Sequence, residues 1–289
     1  MSGSEDRGEW MRATSGFAIG ADRRWRGSIE GIWRRRRQFD GKGQTLNEHD
    51  RIVFDLKGFI VKPAVLNEKE TAAMRDFVLR QRNDAASLPP HQRQLPGGIA
   101  ETLIDHPAVM DVLLDVIDKD VEKIRLENIF LSYREGAETP WSPHAGGRTT
   151  NPNYAYNFHD GRIYAGMTRV VWELTEVLEN QGGTCFIPGS HKANYTIRKG
   201  IESIDHRDSG LWESYACPPG SLVIFSEAVR HSADTWRNPH NPRVAIFGAY
   251  NHINVRHHKP TTPQEVLDGL TPEHRRFFNE VYHPQFDRR

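Results

Sequence analysis

The spacing of apolar residues predicts two helices in the first half of the chain. One begins after Asn67, which forms the pattern of a capping box with Glu70 three residues later. Its apolar side chains recur at every third or fourth position, as on one face of a helix. The second is predicted over 107–117, because Pro107 suits a first helical turn and the apolar residues that follow share one face. The apolar run 58–61 precedes both helices and predicts a strand.

From about residue 126 onward the pattern becomes typical of strands. The segments richest in β-branched and aromatic residues are 126–133, 168–177, 184–187, 221–225 and 244–250. Turns containing glycine and proline separate them, and a last helix is predicted over 271–282. Many short strands after a helical first third predict an α+β fold. We expect a jelly-roll of two sheets, with the N-terminal helices packed on one sheet.

Charge and composition exclude several classes of protein. The 289 residues include 38 Lys and Arg against 38 Asp and Glu, so we expect no nucleic-acid partner. No apolar stretch approaches the roughly 18 residues of a membrane span, so we expect no membrane partner either. The first residues lack the apolar core of an export signal, which predicts a cytoplasmic protein. Cys185 and Cys217 are then expected to be reduced core thiols.

The beginning of the chain differs in composition from the rest. Residues 1–45 are rich in Gly and Arg, and their apolar periodicity is weak. We interpret 1–45 as an N-terminal extension and 46–289 as a single domain. Nothing in the sequence indicates an oligomeric state.

Two histidines and one arginine occupy positions that suit a metal site. His144 and His231 each come shortly after a predicted strand, and Arg243 stands at the start of another. Neutral imidazole is a common ligand of mid-series metals, and the strand ends of a jelly-roll meet at one open mouth. Arginine there is suited to bind a carboxylate bidentately. Together the three residues predict a metal site that takes a 2-oxo acid as co-substrate.

Residues from about 50 to 256 resemble the phytanoyl-CoA dioxygenase (PhyH) family. The resemblance rests on the order and spacing of the blocks VWELTEV (171–177), NQGGT (180–184), IPGSHK (187–192) and PGSLVIF (219–225), followed by His231 and Arg243. It implies a double-stranded β-helix, the cupin-like form of the jelly-roll. It also implies an oxygenase that uses Fe(II) and 2-oxoglutarate to attack an unactivated C–H bond of a small molecule. By this resemblance, His144 and His231 bind iron and Arg243 binds the distal carboxylate of 2-oxoglutarate.

The first ligand position departs from the family pattern. The family usually reads His-x-Asp, which gives two histidines and one carboxylate around the metal. This chain reads His144-Ala145-Gly146, so the expected carboxylate is absent. Related halogenases lack the same carboxylate, and chloride fills the vacated metal position. One interpretation is therefore a halogenase that uses Fe(II), 2-oxoglutarate and chloride, with Gly146 as the residue that opens the position.

A second interpretation is a hydroxylase with a substitute ligand, either water or another carboxylate. Glu227, Asp234 and Asp160 are the candidates, and Glu227 is favoured because it leaves the same strand that delivers His231. A salt bridge to an arginine is an equally good explanation of Glu227. A third interpretation is a jelly-roll that has lost catalysis, or one that holds a non-redox metal such as Zn or Mn.

Further residues are expected near the site. Asn128, Thr235 and Trp236 are candidates for contact with the co-substrate or for lining the pocket, and Arg169 lies on the strand expected to cross the barrel floor. For all four residues, structural packing is favoured over direct contact. Residues 149–164 form a polar, aromatic and turn-rich segment, which predicts a lid over the site. The identity of the substrate is not encoded in any of these patterns.

Overall fold

The computed structural model describes residues 46–136, 141–147, 155–195, 197 and 200–282. The predicted N-terminal extension lies outside these residues. The helices of the described part are α1 (Glu48–Lys57), α2 (Glu68–Asn83), α3 (Pro107–Val116), α4 (Glu202–Asp205), α5 (Gln264–Asp268) and α6 (Pro272–Arg275). None of the described helices is long and apolar enough to cross a membrane.

The strands form one large antiparallel sheet and two small ones. In chain order they are β1 (Phe59–Lys62), β2 (Ile124–Arg134), β3 (Asn157–His159), β4 (Arg162–Tyr164), β5 (Thr168–Glu173), β6 (Gly183–Ile187), β7 (Ser221–Ser226), β8 (Arg230–Asp234) and β9 (Arg243–His252). The large sheet has the order β1-β7-β5-β9-β2, while β6 pairs with β8 and β3 with β4. This mixed architecture confirms the predicted α+β jelly-roll.

Helix α2 begins where the capping box predicts. The side chain of Asn67 accepts a hydrogen bond from the backbone N–H of Glu70 at 3.0 Å, and the Glu70 carboxylate accepts one from the N–H of Asn67 at 2.9 Å. Both bonds satisfy backbone donors that the first helical turn leaves unpaired. Helix α3 is capped similarly, by the His106 ring, which also lies edge-on to Trp172 of β5 with ring centroids 5.0 Å apart. The helix is thereby anchored to one face of the large sheet.

The register of the large sheet defines which residues face the second sheet. Val171 of β5 stands opposite Val223 of β7 and Phe247 of β9, and residues that stand opposite each other share a face. Val171 and Val223 belong to a buried cluster that also contains Phe186 of β6. We call this side of the large sheet the inner face. Because side chains alternate along a strand, the inner face also carries Arg169, Glu173, Asn128, Phe130, Arg134, Arg243 and Ala245.

Several predicted elements differ from the observed ones. The strand predicted over 168–177 ends at Glu173, since the Thr175 hydroxyl, rather than a backbone group, accepts the N–H of Val244. The helix predicted over 271–282 ends at Arg275 and continues as one 3-10 turn, Arg276–Phe278. Of the predicted lid, 149–154 lies outside the described residues, and the rest contains the β3–β4 hairpin rather than a loop. Cys185 and Cys217 are free and buried, as predicted.

Candidate metal centre

The backbone brings His144 and His231 together. Each donates its backbone N–H to the carbonyl of the other at 3.1 Å, so the two residues form an isolated antiparallel pair at the edge of β8. Side chains of such a pair project to the same side, and the imidazole centroids are 4.1 Å apart. Two histidines that are distant in sequence therefore present their rings to one point.

Hydrogen bonds to the backbone fix which nitrogen of each ring faces that point. The Nδ1 of His144 lies 2.9 Å from the carbonyl oxygen of Ser142, and the Nδ1 of His231 lies 2.7 Å from that of Val229. A carbonyl oxygen only accepts, so each Nδ1 carries the proton and each Nε2 keeps a free lone pair. Backbone bonds of this kind orient histidines that ligate metals.

Glu227 supplies a carboxylate at the same point. It is buried in the turn between β7 and β8, and its Oε2 lies 3.4 Å from the Nε2 of His231. One ligand atom from each of His144, Glu227 and His231 lies within 4.8 Å of the others. The other two candidate carboxylates lie elsewhere, since Asp234 pairs with arginines and Asp160 is exposed beside His159.

Arg169 of β5 holds the other oxygen of this carboxylate. Its Nε donates to Glu227 Oε1 at 2.5 Å, and its Nη1 donates to the side-chain oxygen of Asn128 at 3.1 Å. The sequence favours packing for Arg169, but the side chain forms an ion pair. The sequence alone does not reveal the contact between Arg169 and Asn128. It follows from the register of the large sheet, in which both residues stand opposite Ala249 of β9 on the inner face. The result is a carboxylate whose Oε2 faces the histidines.

The charges of the site suit a divalent cation. Burial raises the pKa of Glu227, but the positive charges of Arg169 and His231 outweigh it, and the pKa lies below its ordinary value. Burial lowers the pKa of His231 to about 4, against the opposing effect of Glu227. At neutral pH the centre therefore combines an ionised carboxylate with a neutral imidazole. Two imidazoles and one carboxylate form the donor set typical of non-heme Fe(II) sites.

The backbone at Gly146 leaves no room for a side chain. Gly146 has φ +92°, and a Cβ built on it would lie 2.9 Å from the Cβ of Arg230. Arg230 is fully buried, donates to the carbonyl of Ala145 at 2.6 Å, and forms an ion pair with Asp205. A side chain at position 146 would therefore collide with the fixed side chain of Arg230.

Arg243 lies at the far end of the inner face and is completely buried. Its Nε donates to Glu173 Oε2 at 3.2 Å, and its Nη2 donates to the other oxygen of the same carboxylate. The hydroxyl of Tyr215 also donates to Glu173, at 2.6 Å. The Nη1 of Arg243 has no hydrogen-bond partner among the described residues. A buried donor of this kind calls for an acceptor, which fits the carboxylate of a co-substrate.

Thr235 and Trp236 lie beyond the histidine pair along the chain. The indole of Trp236 is buried in the cluster of Val171 and Phe186, and its Nε1 donates to the carbonyl of Asn241 at 2.7 Å. The backbone N–H of Thr235 donates a hydrogen bond to the Asp234 carboxylate at 2.8 Å. Neither contact involves the histidines, and a role of these two residues in cofactor binding stays a prediction.

Comparisons with known proteins identify the fold and the family. A model of the family described as phytanoyl-CoA dioxygenase (PhyH) matches residues 54–245. HygX from Streptomyces hygroscopicus, solved with nickel and 2-oxoglutarate bound, has a TM-score of 0.59 and 19% identity, covering 72% of this chain and 87% of HygX. EctD from S. alaskensis, solved with 2-oxoglutarate and 5-hydroxyectoine, has a TM-score of 0.51 and 18% identity, covering 80% and 86%.

A third solved structure is the non-heme alpha-ketoglutarate-dependent carbocyclase SnoK from nogalamycin biosynthesis. It has a TM-score of 0.51 and 16% identity, covering 74% of this chain and 88% of SnoK. No curated protein matches the chain in sequence. The structural likenesses support the fold, while the family match spans most of the chain. The chain therefore belongs to the phytanoyl-CoA dioxygenase (PhyH) family, within the superfamily of iron- and 2-oxoglutarate-dependent oxygenases.

Proposed function

We propose that the protein is a non-heme Fe(II)- and 2-oxoglutarate-dependent hydroxylase acting on an unactivated C–H bond of a small metabolite. His144, His231 and Glu227 bind the metal, and Arg243 binds the distal carboxylate of 2-oxoglutarate. The observation that carries this proposal is the position of Glu227 Oε2, 3.4 Å from the free Nε2 of His231. It supplies the carboxylate that the sequence lacks at Gly146. HygX and EctD, both solved with 2-oxoglutarate, support the choice of co-substrate.

Each residue has a defined task in this proposal. When bound, iron would supply the activation of O2, coupled to oxidative decarboxylation of 2-oxoglutarate to succinate and CO2. The chain's own residues hold the proposed metal ligands in place. Backbone carbonyls orient the two imidazoles, and Arg169 orients the carboxylate of Glu227. Arg169 also keeps Glu227 ionised at neutral pH, so that the carboxylate binds a cation without first losing a proton. The geometry of the centre is thus set before the metal arrives.

Halogenation is the second candidate, and Gly146 is the observation that favours it. In that reaction chloride takes the coordination position left by the missing carboxylate. Here Glu227 lies beside the two histidines and offers an anionic oxygen. This disfavours a chloride ligand, since a bound metal would already have one anionic protein ligand.

An anaerobic titration of the metal-free protein with Fe(II) and 2-oxoglutarate tests the proposal. We expect one iron per chain and a visible charge-transfer band whose position is the same with and without chloride. A band that shifts with chloride, or a halogenated product under turnover, would favour halogenation instead. If no band forms and no succinate is produced in air, the protein does not use this chemistry.

The Glu227→Gln variant sharpens this test. We expect it to bind Fe(II) more weakly and to become sensitive to chloride, because the anionic ligand is gone. Glu213→Gln is the matched control, since Glu213 is half-exposed and pairs with Lys57 away from the histidines. An unchanged iron affinity in Glu227→Gln would remove Glu227 from the proposed ligand set.

A further inference from the structure

Two arginines stand opposite each other at the far end of the inner face. Arg134 of β2 and Arg243 of β9 are direct partners in the register of the large sheet, so their side chains leave the sheet on the same face. Like charges in this arrangement repel and destabilise the sheet. Arg134 is half-buried, and its Nη1 makes one long bond, 3.4 Å, to the carbonyl of Asp234. The pair therefore needs negative charge nearby.

Among the described residues, one carboxylate, that of Glu173, faces these two positive charges. The carboxylate of Glu173 accepts hydrogen bonds from two of the three guanidinium nitrogens of Arg243. It also accepts one from the hydroxyl of Tyr215. The remaining nitrogen of Arg243, Nη1, is buried without a partner among the described residues. The nearby carboxylate of Asp234 is already paired with Arg207 and Arg237. Within the part of the chain that the structure describes, one positive charge thus stays uncompensated between Arg134 and Arg243, together with a buried donor.

An apolar path joins this positive end to the metal centre. The guanidinium of Arg243 lies 5.4 Å from the ring of Phe247, which stacks on Phe130 with centroids 5.3 Å apart. Phe130 in turn lies 5.9 Å from the guanidinium of Arg169, which holds Glu227. Phe130 is on the inner face and yet 45% exposed. The space over the two rings is thus open to solvent along edge strand β2.

We propose that Arg134 and Arg243 together bind the distal carboxylate of the co-substrate, while its methylene groups lie on Phe130 and Phe247. Glu173 neutralises one arginine permanently, so that the site accepts one further negative charge. This makes Arg134 a specificity residue that selects a 2-oxo diacid over a 2-oxo monoacid. The inference rests on the proposed function, because it assumes that a 2-oxo acid binds at the metal.

The test compares 2-oxoglutarate with 2-oxovalerate, which has the same number of carbons and a methyl group in place of the distal carboxylate. Binding of each to the Mn(II)-loaded protein is measured by calorimetry, without O2 and without turnover. The variants are Arg134→Met, which keeps the length and loses the charge, and Arg134→Lys. Arg237→Met is the matched control, because Arg237 is half-exposed and pairs with Asp234.

We expect Arg134→Met to raise the Kd of 2-oxoglutarate by 10-fold or more and to change that of 2-oxovalerate by less than 3-fold. Arg134→Lys should lie between Arg134→Met and wild type, and Arg237→Met should resemble wild type. Equal loss of both ligands in Arg134→Met, or no loss of either, would overturn the role of Arg134. If the wild-type protein bound neither 2-oxo acid, the proposed function itself would fail, which is a different result.

Discussion

The ion pair between Arg169 and Glu227 allows a ligand role of Glu227 to be separated from a structural one. The two side chains are only 11% and 6% exposed, so removing either leaves the other charge buried without compensation. Such a loss costs about 3–5 kcal/mol, whereas replacing both partners by apolar residues is often close to neutral. We therefore expect Arg169→Met and Glu227→Met each to lower the free energy of unfolding by about 3–5 kcal/mol. The double variant should be much closer to wild type than the sum of the two.

Metal binding provides the second measurement on the same proteins. A ligand that binds only the folded state stabilises it by about 2.7 kcal/mol at a concentration of 100 Kd. In urea unfolding with and without Mn(II), we expect wild type and Arg169→Met to be stabilised by the metal. Mn(II) should stabilise Glu227→Met and the double variant only slightly, although we expect the double variant to be well folded without the metal. Glu213→Met serves as the control for removing a glutamate outside the site.

One outcome would refute this reasoning directly. If the double variant regained both stability and the full stabilisation by Mn(II), Glu227 would be only the partner of Arg169. If the two single changes proved additive, the side chains would not be coupled as the 2.5 Å contact between them requires.

Three further predictions concern other parts of the molecule. Burial lowers the pKa of His274, but hydrogen bonds to Asp105 and Glu101 outweigh it and raise the pKa to about 9. The protonated imidazole of His274 therefore stabilises the fold fully below about pH 6.5, and this stabilisation is lost toward pH 9. The free energy of unfolding should fall by about 3 kcal/mol over that interval. Denaturant unfolding at several pH values should show the fall in wild type and not in His274→Gln. Gly146→Asp should lower the free energy of unfolding by about 1–3 kcal/mol through its positive φ and its contact with Arg230, and calorimetry should show no gain in Mn(II) affinity. Asn67→Ala should cost about 1 kcal/mol by removing the cap of α2, and a thermal melt that matches wild type would contradict this.

Local patterns were sufficient to predict much of the fold. The capping box at Asn67 and the proline at position 107 act within one helical turn, so the sequence alone locates both helix starts. The strands of the large sheet are rich in β-branched and aromatic residues because that sheet is largely buried. By contrast, β3 and β4 are three residues each and mostly polar or exposed. Nothing in their composition distinguishes such a hairpin from a loop.

The pairing of charges in the site could not be predicted in the same way. Arg169 and Glu227 are 58 positions apart, and Glu173 and Arg243 are 70 apart. Both pairings depend on the sheet register, which a single sequence does not specify. The family resemblance indicates the histidines and Arg243, but not that Arg243 already has a carboxylate partner.

The origin of the proposed ligands has a consequence for how a metal would enter and leave. Glu227 lies in the turn between β7 and β8 and His231 lies at the start of β8, whereas His144 comes from a separate segment. In the usual family pattern, the carboxylate moves together with the first histidine. Here two of the three proposed donors come from the β7–β8 connection, and two backbone hydrogen bonds join His144 to His231 of the same connection. We therefore expect the three donors to stay together when a metal enters or leaves.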